Sequence, residues 1–371
     1  MADQEGRGGL CTPTRWRLIA SGVLLAACPL LVLLFERFGE ALSGGYRPFS
    51  KGLLSLQATV ASVAPFALWD FLVVGFALAA LFTLVRRVVR RRPLLPWLSV
   101  VLLVSSATLF LFVSGWALNH YAPSLANEIG LEVGAYTDDE LAAATRHYLE
   151  RAAALAPSVP RGEDGELLRQ DFYELARIAG GSYRELSESY GIFEGSQAPV
   201  KALLLLGEPL LLSGHVGIFF SPTGESSVPV NCAVADLPFT MCHEAAHRLA
   251  IAREQEANFA AFLACTTSDD VRFSYSGYYG AFSFCYGALR RSDPDRAARL
   301  LDEVRTSGLD AGVGLVLADL VATGRHYDAY EGWFGRIGSA VNDGYLRSFG
   351  EREGVKSYGL VVDYLIAWDR R

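Results

Sequence analysis

Residues 237–259 read LPFTMCHEAAHRLAIAREQEANF, and within them lies His243-Glu244-Ala245-Ala246-His247. The pattern predicts a helix over residues 238–251, with neither Pro nor Gly after its first position. On a helix, positions i and i+4 lie one turn apart on the same face, so His243 and His247 are able to offer two imidazole nitrogens to one ion. Glu244, beside the first of them, is placed to deprotonate a water activated by that ion rather than to bind it. Two of the chain's six histidines fall in these five residues. A catalytic zinc needs three protein ligands and an open position. The acidic supply that follows is Glu254 and Glu256. A second helix, expected over residues 255–266, sets Glu254 and Asn258 on one face with Glu256 pointing elsewhere. Glu254 is the preferred third ligand and Glu256 the alternative.

The spacing Glu254-x-x-x-Asn258 resembles the Glu-x-x-x-Asp of thermolysin-like (gluzincin) metallopeptidases. There the Glu binds zinc and the Asp orients a ligand histidine. With Asn258 in that place, a hydrogen bond to an imidazole N–H is retained but no charge is added. Oxyanion stabilisation in such enzymes commonly falls to Tyr, His or Arg, and Tyr275 in Tyr275-Ser276-Gly277-Tyr278-Tyr279 is the candidate. A strand expected over residues 215–221, upstream of the motif, would offer an edge to an extended peptide.

N-terminal to this region the composition changes character. Of 371 residues, 51% are hydrophobic and 20% charged, and the mean hydropathy is +0.24. Residues 1–118 carry 11 Arg/Lys against 5 Asp/Glu, net +6, and residues 119–371 carry 22 against 35, net −13. An acidic soluble half and a basic half whose arginines flank apolar runs exclude a nucleic-acid binder. Three runs are long enough to span a bilayer, at about residues 18–35, 66–85 and 94–118. Trp97 and Trp116 stand near the ends of the third, as an aromatic belt requires. Arg86, Arg87, Arg90, Arg91 and Arg92 lie between the last two runs. The positive-inside rule assigns that loop and the N-terminus to the cytoplasm and residues 119–371 to the extracytoplasmic side. Asp70, at the outer start of the second run, is expected to snorkel or to cap backbone groups rather than relay protons. Leu25-Ala26-Ala27-Cys28 also fits a lipoprotein cleavage site, but the apolar run continues past it to Phe35.

The expected class is therefore α+β and mainly helical. Residues 1–118 form a membrane domain of three transmembrane helices, and residues 119–371 a zincin-like domain with a small sheet. Thr137-Asp138-Asp139-Glu140 is a capping box opening a helix to about residue 154. Further helices are expected near residues 163–178, 183–190, 295–306, 312–322 and 359–368, and strands near 203–206 and 215–221. Cys232, Cys242, Cys265 and Cys285 in an outside-facing domain could form two disulfides in three pairings. His120, His147, His215 and His326 are isolated and read as structural or surface residues.

Several pieces across the chain resemble bacterial membrane proteins grouped as domain of unknown function 3810. They include Gly115-Trp116-Ala117-Leu118-Asn119-His120-Tyr121, Ser221-Pro222-Thr223-Gly224-Glu225, the stretches 237–247 and 253–259, Tyr275-Ser276-Gly277-Tyr278, Val341-Asn342-Asp343 and Gly354-Val355-Lys356-Ser357-Tyr358-Gly359. The resemblance implies a multi-pass protein with an outward domain like that of zinc metallopeptidases, and it supplies no substrate. Ala250 stands where such a domain has Gly after the second histidine. The leading expectation is a membrane-anchored zinc metalloprotease with Zn2+ on His243, His247 and Glu254 and with Glu244 as base. Its substrates would be peptides or proteins of the envelope or membrane, because the bilayer confines both. The alternative is a non-catalytic scaffold or sensor that keeps a structural zinc.

Overall fold

The computed structural model describes residues 12–349 and 360–371. The stretch 354–359 and Cys11 therefore lie outside the described residues. In chain order the helices are α1 Thr12–Ala61, α2 Leu68–Val89, α3 Leu95–Gly115, α4 Leu125–Ile129, α5 Asp138–Leu155, α6 Phe172–Gly181, α7 Arg184–Ser189, α8 Gly207–Leu212, α9 Leu237–Arg248, α10 Glu254–Thr266, α11 Val271–Ser292, α12 Pro294–Val304, α13 Asp310–Asp328, α14 Trp333–Ser348 and α15 Val361–Asp369. Strands β1 Lys201–Leu203, β2 Ile218–Phe220 and β3 Glu225–Pro229 make one sheet in the order β1-β3-β2. β1 runs parallel to β3 and β2 antiparallel to it. The molecule is mainly helical with a small sheet. Helix α11 occupies the tyrosine-rich stretch, which carried no helical expectation, and α14 was likewise unanticipated.

Among the described residues, four helical stretches are long and apolar enough to cross a membrane: α1, α2, residues 95–121, and residues 294–328. The last is broken at Gly308, where φ is +97°. It buries Asp319 against Arg161, bidentate at 3.0 and 2.7 Å, and packs Ala297, Leu300, Val304, Val313 and Val316 into the domain core. The first run is longer than residues 18–35, for α1 continues to Ala61 past a kink at Phe38. In its first half the buried residues Thr14, Ser21, Cys28 and Phe35 recur every seven positions. Ser99, Ser106 and Val113 of α3 do the same. Small side chains at heptad spacing let two apolar helices approach closely where lipid gives no hydrophobic drive to pairing.

Beyond the kink, α1 packs on the residues that follow α3. Ser50 Oγ donates to the Gly115 carbonyl at 2.6 Å and accepts from Asn119 Nδ2 at 2.9 Å. A Cβ on Gly224, itself at φ +67°, would meet the Leu54 carbonyl at 2.7 Å, so only glycine lets that turn seat on α1. The packing thus crosses residue 118. Two carboxylates lock the start of α2 reciprocally. Asp70 accepts from the backbone N–H groups of Leu204, Leu205 and Leu206 at 2.7–2.9 Å. Glu225 accepts from those of Leu68 and Trp69 at 2.8 and 3.1 Å, capping the positive end of α2. Asp70 is therefore a capping carboxylate.

The capping box closes as expected, with Thr137 and Glu140 satisfying each other's backbone N–H. Among the described residues Cys28, Cys232, Cys242, Cys265 and Cys285 are all buried free thiols. The disulfides weighed from the sequence are not formed. Packing holds these thiols instead, as in Cys232 against the Tyr327 hydroxyl at 3.2 Å.

Candidate metal centre and cleft

Helix α9 is buried along its whole length, and Pro238 in its first turn costs no hydrogen bond. It ends in a Schellman turn: Ile251 N–H donates to the Ala246 carbonyl at 3.3 Å and Ala250 N–H to that of His247 at 3.1 Å. That turn needs a left-handed residue, and Ala250 supplies it at φ +63°. The reversal brings the Ile251 carbonyl back onto His247 Nδ1, 2.8 Å away. A carbonyl only accepts, so Nδ1 carries the proton, and in the neutral ring the Nε2 lone pair is left to face inward. On the other side the Trp116 indole N–H holds the His247 carbonyl at 2.8 Å. The strained alanine thus fixes a tautomer.

Glu254 opens α10 and turns its carboxylate to the same point. His243 Nε2 and His247 Nε2 are 3.1 Å apart, and Glu254 Oε2 lies 3.2 Å from the first and 3.7 Å from the second. A tetrahedral zinc with bonds of about 2.0–2.1 Å separates its ligands by roughly 3.3–3.4 Å, so the three atoms fit one ion. His243 Nδ1, Glu244 Oε2 and Glu254 Oε2 are buried without a hydrogen-bond partner, and a cation answers the unmet need of the last directly. Glu256 is occupied elsewhere, accepting from Arg253 at 2.8 Å and from the Tyr364 hydroxyl at 3.3 Å. The geometry therefore groups Glu254, and not Glu256, with the histidines.

Burial acts to lower the pKa of His247, but the Glu254 carboxylate outweighs it and holds the imidazole up at about 9. Burial would raise Glu254, yet the two imidazoles hold it well below the ordinary carboxylate range. Glu244 is pushed up to about 7 by burial, against the pull of the histidines. A carboxyl held there can both take up and release a proton near neutral pH.

Two cavities of about 460 and 520 Å³ meet at this point. Both are walled by His215, Gly217, His243, Glu244 and Asn342. Gly217 leads into the edge strand β2, and a Cβ there would meet Glu244 Oε1 at 2.4 Å. Glycine is what allows the strand to pass the carboxylate so closely. Helix α14 forms the opposite wall with Ser339, Asn342 and Tyr345.

Two expectations do not hold. Tyr275 is buried with its hydroxyl donated to Asp319, and it lines neither cavity, because α11 turns that face into the core. Asn258 walls the first cavity, but its Nδ2 is partnerless, like His243 Nδ1, so no bond orients that ring. The cleft contains two residues not anticipated as site residues. His215 accepts or donates at 2.9 Å with Ser213 Oγ, and burial lowers its pKa, leaving it neutral at pH 7. The Tyr345 hydroxyl lies 3.2 Å from His120 Nε2. Their only sequence signal was membership of the 215–221 strand for His215 and, for Tyr345, a place two residues past the Val341-Asn342-Asp343 piece.

A family model described as "Protein of unknown function (DUF3810)" matches residues 46–366. The chain belongs to that family. No curated protein and no solved structure matches it. The match begins inside α1, just past the kink, in keeping with the packing of that half-helix on the domain.

Proposed function

We propose that this family member is a membrane-anchored, zinc-dependent metallopeptidase of the gluzincin kind, its catalytic domain on the extracytoplasmic side, opposite the arginine loop. The observation that carries the reading is the convergence of His243, His247 and Glu254 beside a Glu244 carboxylate whose Oε2 is unpartnered, in an open cleft. Zinc held by those three residues would supply Lewis-acid polarisation of a peptide carbonyl and of water. Glu244 takes the proton from the attacking water and passes it to the leaving amine. The edge strand β2 holds an extended substrate by backbone pairing. His215 and Tyr345 are the donors best placed along the cleft to meet the developing oxyanion. A structural ion is ordinarily enclosed by four ligands. Three ligands and an open cleft favour hydrolysis over the scaffold reading.

The test is metal content of the purified full chain by mass spectrometry, with proteolysis followed in parallel. Wild type should hold about one zinc per chain and the His243→Ala/His247→Ala variant none. Glu244→Gln should keep the metal and lose about 10²–10⁴-fold in rate. A metal-free wild type, or undiminished proteolysis by Glu244→Gln, would overturn the assignment.

A further inference from the structure

The metal helix sits at the end of a spanning helix. α3 has 21 residues, or about 31 Å of helix at 1.5 Å per residue, which matches a hydrocarbon core of roughly 30 Å. Its last residues are therefore at the membrane interface. Trp116, the next residue, holds the His247 carbonyl. Phe112, one turn inside the span, walls the 520 Å³ cavity together with His247 and Glu254.

Residues 39–61 of α1 begin where the first span ends and finish just before the second begins, so both ends lie on one membrane face. The helix between them does not rise from that face. A Cβ on Gly39 would touch Tyr121 at 2.7 Å, and Ser50 bonds Gly115, so two sites eleven residues apart meet the same short stretch at the end of α3. Its inner face is buried through Ser43, Ser50, Leu54 and Ala58, while Leu42, Phe49, Leu56 and Val60 form an exposed stripe.

Helix α14 bridges the outer ends of the other two spans. At one end Gly338 packs so closely on Ser213, just past α8, that a Cβ would collide with its carbonyl, and Leu210 of α8 packs with Ala67 and Trp69 at the start of α2. At the other end, rings of Tyr345 and Phe349 lie 5.9 and 6.2 Å from that of Phe112. Its outer side exposes Trp333, Phe334, Ile337 and Val341, spaced as one helical stripe and 51–68% accessible.

We propose that residues 39–61 and α14 lie in the membrane interface with these stripes seated in lipid, so that the apolar half of the cleft opens onto the bilayer surface. An amphipathic helix in this position buries its apolar face at the headgroup and acyl boundary. The continuity of both helices with the span ends makes the occupant lipid rather than a second protein. Resting on the hydrolase reading, the substrate class follows: polypeptides whose scissile segment lies beside a membrane span or lipid anchor. An apolar side chain would enter the pocket formed by Phe112, Leu210, Ile218, Phe219 and Val341.

The test places nitroxide labels at Leu56→Cys and Ile337→Cys in the full chain carrying Cys11→Ser, reconstituted in lipid nanodiscs. Phe49→Cys and Phe334→Cys serve as second positions on each stripe, and Arg177→Cys on the exposed side of α6 is the control. Both stripes should be several-fold more accessible to oxygen and less accessible to a water-soluble nickel chelate than the control. Chelate accessibility equal to the control at both stripes would overturn the proposal. A fluorogenic peptide, free or tethered to the disc by a palmitoyl chain, separates the two claims. Lipid-protected labels with neither peptide cleaved would sustain the seating and count against the hydrolase. Water-exposed labels would refute the seating whatever the peptides did.

Discussion

Two buried polar clusters sit in this domain, and they are built oppositely. In the first, Arg161 donates to the Ala156 and Gly165 carbonyls and to both oxygens of Asp319. Tyr275 completes the set through its hydroxyl. In the second, His243, Glu244 and Glu254 are as deeply buried but keep polar atoms unpartnered, facing a cleft. Burying polar groups is costly unless they are paired, so the first cluster is what a structural network looks like. The second tolerates an unmet need, which a ligand would satisfy. The sequence reading assigned Tyr275 to the second cluster, when it belongs to the first.

Removing one partner from each should separate them most sharply. Asp319→Ala strands the Arg161 charge in the core, at an expected cost of about 3–5 kcal/mol. Glu244→Gln, which removes a carboxyl whose ionisation is disfavoured by burial, should leave stability unchanged or raise it at neutral pH, because the fold no longer has to hold that charge out of water. Denaturant or thermal unfolding of the two variants checks this. Equal losses would show that the cleft cluster, too, is held for stability.

A smaller effect separates them by proton counting. With Glu254 holding His247 up at about 9, the imidazole is protonated at pH 7 when no cation is bound. Metal needs the neutral ring, so binding should release close to one proton, and affinity should climb with pH towards 9 rather than level off near the ordinary histidine value. Calorimetry in two buffers of different ionisation enthalpy reads the proton directly. No release at pH 7 would mean that His247 is neutral beforehand. The Arg161 cluster, which has no imidazole and no open atom, should contribute nothing.

Most helices outside α11 and α14, and the grouping of Glu254 with His243 and His247, were legible because each depends on contacts within a few residues. What was missed depends on distant partners. The second half of α1 carried no expectation from the sequence, because what fixes it is packing against Gly224 and Gly115. The span-like composition of residues 294–328 gives no sign of the ion pair that Asp319 makes with Arg161, 158 positions away. α14 closes the cleft from a hundred residues beyond the motif, and no spacing rule reaches that far.

The smallest expected effect lies at Ala250, whose sequence context left its turn open and whose φ of +63° shows what the turn demands. Left-handed geometry costs an L-residue about 1–2 kcal/mol. Ala250→Gly removes that strain. It also loses a fully buried methyl, worth about 0.8 kcal/mol, and adds roughly 0.4–1 kcal/mol of unfolded-state freedom. These terms nearly cancel, so stability should move by less than about 1 kcal/mol. Metal affinity should hold as well, because glycine keeps the Ile251 carbonyl on His247 Nδ1. Ala250→Val keeps the strain and adds β-branching in the least tolerant region of backbone space, so it should weaken metal binding together with stability. If valine lowered stability alone, the turn would have no part in aiming the ligand, and the left-handed alanine would belong with the structural cluster rather than with the site.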